Sequence, residues 1–265
     1  MSASKTPPPG RVLLEVKDLA QHFGGLKAVD QVNLTIHEGE IVSVIGPNGA
    51  GKTTFFNVLT GVYPGTRGEI LFNGQELRGM AGHDIVAVGV ARTFQNIRLF
   101  AHMTALENVM VGRHTRTHQF LLGPLLRTAA FKNEEKAVEV MAKELLEFVG
   151  LKSLGNELAK NLPYGAQRKL EIARSLASEP KLLILDEPTA GMNPTESQDL
   201  VALVRKVRER GVTVLLIEHQ MRVVMDISDR VFVFDYGVKI AEGKPKEVVA
   251  NARVIEAYLG KEGAS

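Results

Sequence analysis

Gly46-Pro47-Asn48-Gly49-Ala50-Gly51-Lys52-Thr53 follows directly on the apolar run Ile41-Val42-Ser43-Val44-Ile45. The eight residues fit G-x-x-x-x-G-K-[ST] in the setting that pattern needs, with a buried-strand signal before it and a helix signal, Thr54–Leu59, after it. Glycines let the backbone curl so that successive N–H groups point inward at the start of a helix whose dipole favours anions. Lys52 is then placed to reach the β- and γ-phosphates of a nucleotide, and the Thr53 hydroxyl to take a Mg²⁺ position. The alternative is a Gly-rich turn before an ordinary helix. Agreement among strand, loop, Lys-Thr pair and helix argues against it.

Composition narrows the rest. A formal net charge of +2 over 265 residues argues against a strongly basic nucleic-acid binder. The absence of cysteine excludes disulfides and thiol chemistry. Residues 1–10 are Pro-rich and lack the apolar core of a signal peptide, so a flexible tail and no export are expected. No apolar run approaches the roughly 18 to 20 residues that cross a bilayer, so any membrane role is expected to come through a partner.

Along the chain, Val12–Val16 and Val32–Ile36 read as strands with Phe23-Gly24-Gly25 between them, and Glu69–Phe72 before Asn73-Gly74 is a hairpin signal. From Gly79 the texture becomes helical and more polar, with helix spacing over Met103–Val111 and Glu134–Val149. Between these lie the basic residues Arg113, His114, Arg116 and His118 and then the apolar Phe120–Leu126. After Lys181 come the strand Leu182–Leu185, the helix Pro194–Arg210, the strand Val212–Ile217 and a hairpin around Arg230–Ala241. This predicts one domain over 11–265, an α/β core with a helical insertion at about 79–163.

Leu182-Leu183-Ile184-Leu185 ends in Asp186-Glu187. An apolar strand of this kind suits a parallel sheet beside the phosphate-loop strand, and such strands present ligands at their carboxyl ends. Asp186 is expected to hold Mg²⁺, directly or through water, and Glu187 to polarise an attacking water. Gln95, His219, Phe23 and Asn193 each have a plain structural reading as well: a surface glutamine, a loop histidine, a core phenylalanine and a helix cap.

Taken in order, Phe23, the loop Gly46–Thr54, Gln95, the run Leu162–Arg168, Asp186-Glu187, the turn Pro188–Pro194 and His219 resemble the ATP-binding subunits of ABC transporters, over about 12–260. The resemblance implies a P-loop NTPase fold with an antiparallel β subdomain and an inserted α-helical subdomain, with ATP and Mg²⁺ as cofactors. It implies ATP binding by Phe23, Gly46, Pro47, Asn48, Gly49, Ala50, Gly51, Lys52, Thr53 and Thr54. Metal binding falls to Thr53, Gln95 and Asp186, and catalysis to Glu187, His219 and Gln95. In that family two subunits sandwich the nucleotide, each offering a signature loop to the other's phosphates. Here that loop is Leu162, Pro163, Tyr164, Gly165 and Ala166 in place of the usual Leu-Ser-Gly-Gly-Gln. The serine hydroxyl and one N–H are lost, whereas the helix dipole and Gly165 remain. Asn193 stands in the D-loop where the family usually has aspartate.

Phe23–Val29, Arg92-Thr93-Phe94-Gln95, Leu162–Gly165, Glu171-Ile172-Ala173-Arg174, Ile217-Glu218-His219 and Ala257-Tyr258-Leu259-Gly260 are similar to the bacterial branched-chain amino acid importers. Urea and amide importers look much the same. The likeness implies a second, non-identical ATPase subunit or a second copy, two membrane permease subunits, a periplasmic solute-binding protein acting at a distance, and no nucleic acid. It also implies a peripheral place on the cytoplasmic face of the inner membrane. A permease helix is expected to dock near Asn96–Phe100 and Met103–Val111. Two rivals are a soluble ABC ATPase of translation or repair and a regulatory subunit without turnover. One ATPase unit without a long coiled coil speaks against the first; Lys52, Glu187 and His219 speak against the second.

Overall fold

The computed structural model describes residues 10–116 and 129–262, and two sheets organise it. β1 (Val12–Phe23), β2 (Leu26–His37), β4 (Arg67–Phe72) and β5 (Gln75–Glu76) form an antiparallel sheet in the order β2-β1-β4-β5. The second contains β3 (Ile41–Ile45), β6 (Val90–Arg92), β7 (Leu182–Asp186), β8 (Thr213–Ile217), β9 (Arg230–Asp235) and β10 (Val238–Gly243). Its order is β10-β9-β3-β8-β7-β6, parallel except for the β9–β10 hairpin. Every residue of β3, β7 and β8 is buried, the environment in which an unbroken apolar run is stable. β1 and β2 run further than their apolar cores at Val12–Val16 and Val32–Ile36. Asp18 (φ 46°) and Gln31 (φ 52°) kink them at register shifts, which breaks the alternation a strand normally shows.

Helix α1 (Lys52–Leu59) lies between the two sheets. Phe55 and Phe56 are fully buried there, and Phe55 meets Phe234 of β9 edge-on at 5.2 Å. Phe72 of β4 belongs to the same core, so one helix joins both sheets. Helix α2 (Gly82–Val88) leads into β6, which pairs in parallel with β7. Val90–Arg92 therefore belongs to the large sheet, although it falls within the span 79–163 expected to be helical. Three residues are too short to carry a strand pattern in the sequence.

The helical unit consists of α3 (Ala105–Gly112), α4 (Ala129–Phe148) and α5 (Tyr164–Leu176). Val109, Ala142, Leu146 and Leu170 pack in a core that continues through Leu183 and Leu185 of β7 to Leu200 and Val204 of α6 (Pro194–Glu209). Thr104 caps α3 in a reciprocal box with Glu107. Leu99, expected in a partner groove, packs against this core, whereas Phe100 is 47% exposed. Most of the run Arg113–Leu126 lies outside the described residues. Helices α7 (Met221–Ile227), α8 (Pro245–Val249) and α9 (Ala252–Glu262) cover the far side, where Val224, Val248 and Val254 pack with Ile45.

Asn108 pins the approach to α3. It is fully buried, accepts from Phe100 N–H (2.9 Å) and donates to the carbonyls of Phe100 (3.1 Å) and Thr104 (2.9 Å). Asn108→Ala takes away the acceptor of the Phe100 N–H, whereas the Phe100 and Thr104 carbonyls keep the backbone N–H groups of Met103 and residue 108, and is expected to cost about 1–3 kcal/mol. A urea titration of the purified chain reads this directly, and an unchanged midpoint would show that the loop holds without the amide.

Candidate nucleotide site

The phosphate loop leaves β3 at Gly46, whose φ is 150° and whose absent Cβ would come within 2.1 Å of the Phe234 carbonyl oxygen. Gly51, at φ 94°, is as confined on the other side, where a Cβ would lie 2.2 Å from the Ala28 carbonyl oxygen. Only glycine fits at either place. Gly51 is also the N-cap of α1 and no side chain caps the helix, so its first N–H groups and its dipole face the loop. Lys52 Nζ folds back over this cradle and donates to the Gly46 (2.7 Å) and Pro47 (2.9 Å) carbonyls. Thr53 is exposed beside it.

Asp186 ends β7 with its side chain 6% exposed, and its Oδ2 accepts from Arg92 Nη2 at 2.7 Å. The same guanidinium donates to Asn57 Oδ1 (2.8 Å) and Thr60 Oγ1 (3.0 Å), so α1, β6 and β7 meet on one cation. A buried ion pair is tolerable only when its remaining donors are satisfied, as most are here. Sequence reasoning gave Arg92 no role of its own; its signal was an arginine placed three residues before Gln95.

Glu187 stands just past the strand with φ 45°, a left-handed conformation that costs a non-glycine residue of order 1–3 kcal/mol. Its N–H donates to the Ile217 carbonyl of β8 (3.0 Å), which helps to hold the turn. Its Oε2 accepts from Gln95 Nε2 (3.1 Å) and lies 3.6 Å from His219 Nδ1. Three residues singled out separately in the sequence thus meet on one carboxylate oxygen.

Glu218 was quoted in the sequence only as part of Ile217-Glu218-His219, and the structure gives it a definite place. Its side chain is fully buried; Oε1 accepts from Thr189 N–H (3.2 Å) and Oγ1 (2.7 Å), and Oε2 from the N–H groups of His219 (3.2 Å) and Gln220 (3.4 Å). It ties the loop after Glu187 to the loop carrying His219. Burial pushes its carboxyl above the usual range, while the bonds from Thr189 and Gln220 pull it back.

The stretch Leu162–Ala166 sits at a helix N-terminus: α5 begins at Tyr164, with Pro163 as its N-cap and no side chain capping it. Proline at the cap costs no helical hydrogen bond, because an N–H there lies outside the helix ladder. A Cβ on Gly165 would sit 3.1 Å from Glu196 Oε1, so this glycine also makes room inside its own chain. Asn193 caps α6 in a reciprocal box with Glu196, with both bonds at 3.0 Å. Phe23 is 43% exposed at the end of β1, and Tyr63 meets it edge-on at 5.2 Å.

Hydroxyl, amide and carboxylate oxygens at Thr53, Gln95 and Asp186 are the hard donors Mg²⁺ prefers. Among the described residues no three His, Asp or Glu side chains gather as a self-sufficient metal site. Such an ion would need phosphate oxygens to complete its shell.

A family model described as ABC transporter matches residues 29–190, and one described as Branched-chain amino acid ATP-binding cassette transporter matches 238–264. The chain is 50% identical over 252 residues to the high-affinity branched-chain amino acid transport ATP-binding protein BraF of Pseudomonas aeruginosa, covering 95% of this chain and 99% of that one. LivG of Escherichia coli, which carries the same description, is 48% identical over 94% and 98%. Among solved structures, a nucleotide-free ATP-binding cassette from an ABC transporter superposes with a TM-score of 0.82 at 32% identity, over 93% of this chain and 98% of that one.

Phe23→Ala removes the exposed ring available to stack on a base. Loss of one stacking partner is expected to weaken ATP binding roughly tenfold. Titration with a fluorescent ATP analogue measures it, and an unchanged Kd would place the base elsewhere.

Proposed function

We propose, from the premise that this chain belongs to the ABC transporter family of ATP-binding proteins, that it drives uptake of branched-chain amino acids through a membrane permease. Nucleotide binding and ATPase activity follow from the family itself. The observation that carries the catalytic reading is the meeting of Gln95 and His219 on Glu187 Oε2, at the end of β7, one strand removed from the phosphate loop's strand. The cargo reading is supported by likeness to BraF and LivG along nearly the whole chain and by the match over 238–264.

The triphosphate lies along the backbone N–H groups of residues 48–53 at the head of α1, where dipole and donors both favour anions. Lys52 exchanges its two carbonyl partners for the β- and γ-phosphates. Phe23 stacks on the base. Thr53, Gln95 and Asp186 would hold Mg²⁺, which would neutralise charge on the phosphate oxygens. Asp186 brings Oδ1, since Oδ2 is held by Arg92. Glu187 orients the water and accepts its proton, and His219 holds the γ-phosphate.

The turn Leu162–Ala166 closes over the nucleotide of a second ATP-binding subunit, whose own turn closes over this one. ATP binds the closed pair better than the open pair, so binding and hydrolysis move the pair between two states and the permease with it. No helix among the described residues is long and apolar enough to cross a membrane. By its likeness to transporter ATP-binding proteins, the chain attaches peripherally at the cytoplasmic face through permease subunits, with Phe100 and the exposed residues of α3 as the contact.

Glu187→Gln removes the proton acceptor and keeps the shape. In the assembled complex it is expected to lower turnover by about 10²- to 10³-fold and to retain bound ATP. Brisk phosphate release would take Glu187 out of this role. Phe100→Glu is expected to shift the chain from the membrane to the soluble fraction on sedimentation; undiminished membrane attachment would move the contact away from Phe100.

A further inference from the structure

Arg168 is 3% exposed, yet two of its four side-chain hydrogen bonds go to a segment outside its own helix. Nη1 donates to the Phe94 carbonyl (2.7 Å) and to Glu171 Oε2 (3.2 Å). Nη2 donates to the Gln95 carbonyl and to the Tyr164 hydroxyl (3.0 Å), and the guanidinium lies 5.4 Å from the Tyr164 ring centre. The fork therefore joins two consecutive carbonyls of the glutamine loop to the aromatic residue in the first turn of α5. Further along, Glu171 Oε1 accepts from Arg98 N–H (2.8 Å), Arg174 donates to the Arg98 carbonyl, and its guanidinium lies 5.8 Å from the Phe100 ring. Residues 94–100 are thus fastened along one side of α5.

Charge balance alone does not account for this arrangement. A lysine would neutralise Glu171, whose carboxyl is pushed up by burial, but an ammonium lacks the rigid planar fork that holds several acceptors at once. Resting on the ATPase reading above, we propose that Arg168 is a positioning residue that locks the signature turn to the glutamine loop. One guanidinium then sets both the placement of Gln95 at this chain's own nucleotide and the placement of Tyr164 in the turn offered to the partner's nucleotide. A change at one nucleotide is passed to the other through this side chain.

The test replaces Arg168 by Lys and by Gln in the assembled transporter and follows ATP turnover against ATP concentration. Both variants are expected to lose roughly 10- to 100-fold in kcat, the effect of a misplaced reacting group. KM is expected to stay within about twofold, because the phosphate loop is untouched. Wild-type turnover in Arg168→Lys would show that only charge is needed and would overturn the proposal. So would kcat and KM worsening together in step with lost thermal stability, the mark of a purely structural side chain. Should neither variant assemble, Tyr164→Phe removes one acceptor and keeps the ring; a fall of about threefold in kcat at constant KM supports the link, and wild-type kcat overturns it. A wild-type complex without turnover would sink the ATPase reading and this proposal with it, a result distinct from an active wild type matched by its variants.

Discussion

The phosphate loop is squeezed between two carbonyl oxygens, that of Phe234 from the parallel sheet and that of Ala28 from the antiparallel one. Neither Gly46 nor Gly51 has room for a single added carbon, and this confinement fixes the relation of the sheets to each other. Helix α1 then has to bury its first turns between them, which it does with Phe55 and Phe56. The loop's N–H groups are in consequence aimed before any ligand arrives, and little ordering is left to be done on binding.

Around that loop three carboxylates have been given different environments. Asp186 is buried and paired with Arg92. Glu187, in a left-handed turn, is partly open to solvent and shared by Gln95 and His219. Glu218 is sealed from water and spends its oxygens on the backbone of two loops and on the Thr189 hydroxyl. Of the three, only Glu187 is partly open to solvent, while Asp186 and Glu218 are buried and tied to neighbouring segments.

Much of this was legible in the residues. The continuous apolar runs before Gly46 and in Leu182–Leu185 read as buried parallel strands, because burial on both faces leaves no polar position. Glycines in the loop and the Asn193 cap announced themselves through local chemistry. Less visible were features set by distant partners. The strand Val90–Arg92 exists because Leu182–Ile184 lies beside it, and Arg92 matters because Asp186, Asn57 and Thr60 surround it. Leu99 was expected to line a partner groove; half-buried, it also packs against the core of the helical unit. Gly165 read as an approach to phosphate; its closeness to Glu196 depends on a side chain from the helix beyond β7.

The third core, in which Val248 and Val254 cover Ile45, has a bearing on how the protein is made. The strand that launches the phosphate loop emerges early from the ribosome, but its neighbours β8 and β9 and its cover in α8 and α9 emerge last; the bond from Gly39 N–H to Thr213 Oγ1 spans 174 positions. At bacterial or slower elongation rates, that interval is on the order of ten seconds or more. During it Val42 and Val44 can already pack with residues of β1, α1 and β4, whereas Ile45 on the other face waits for its cover until synthesis is almost complete.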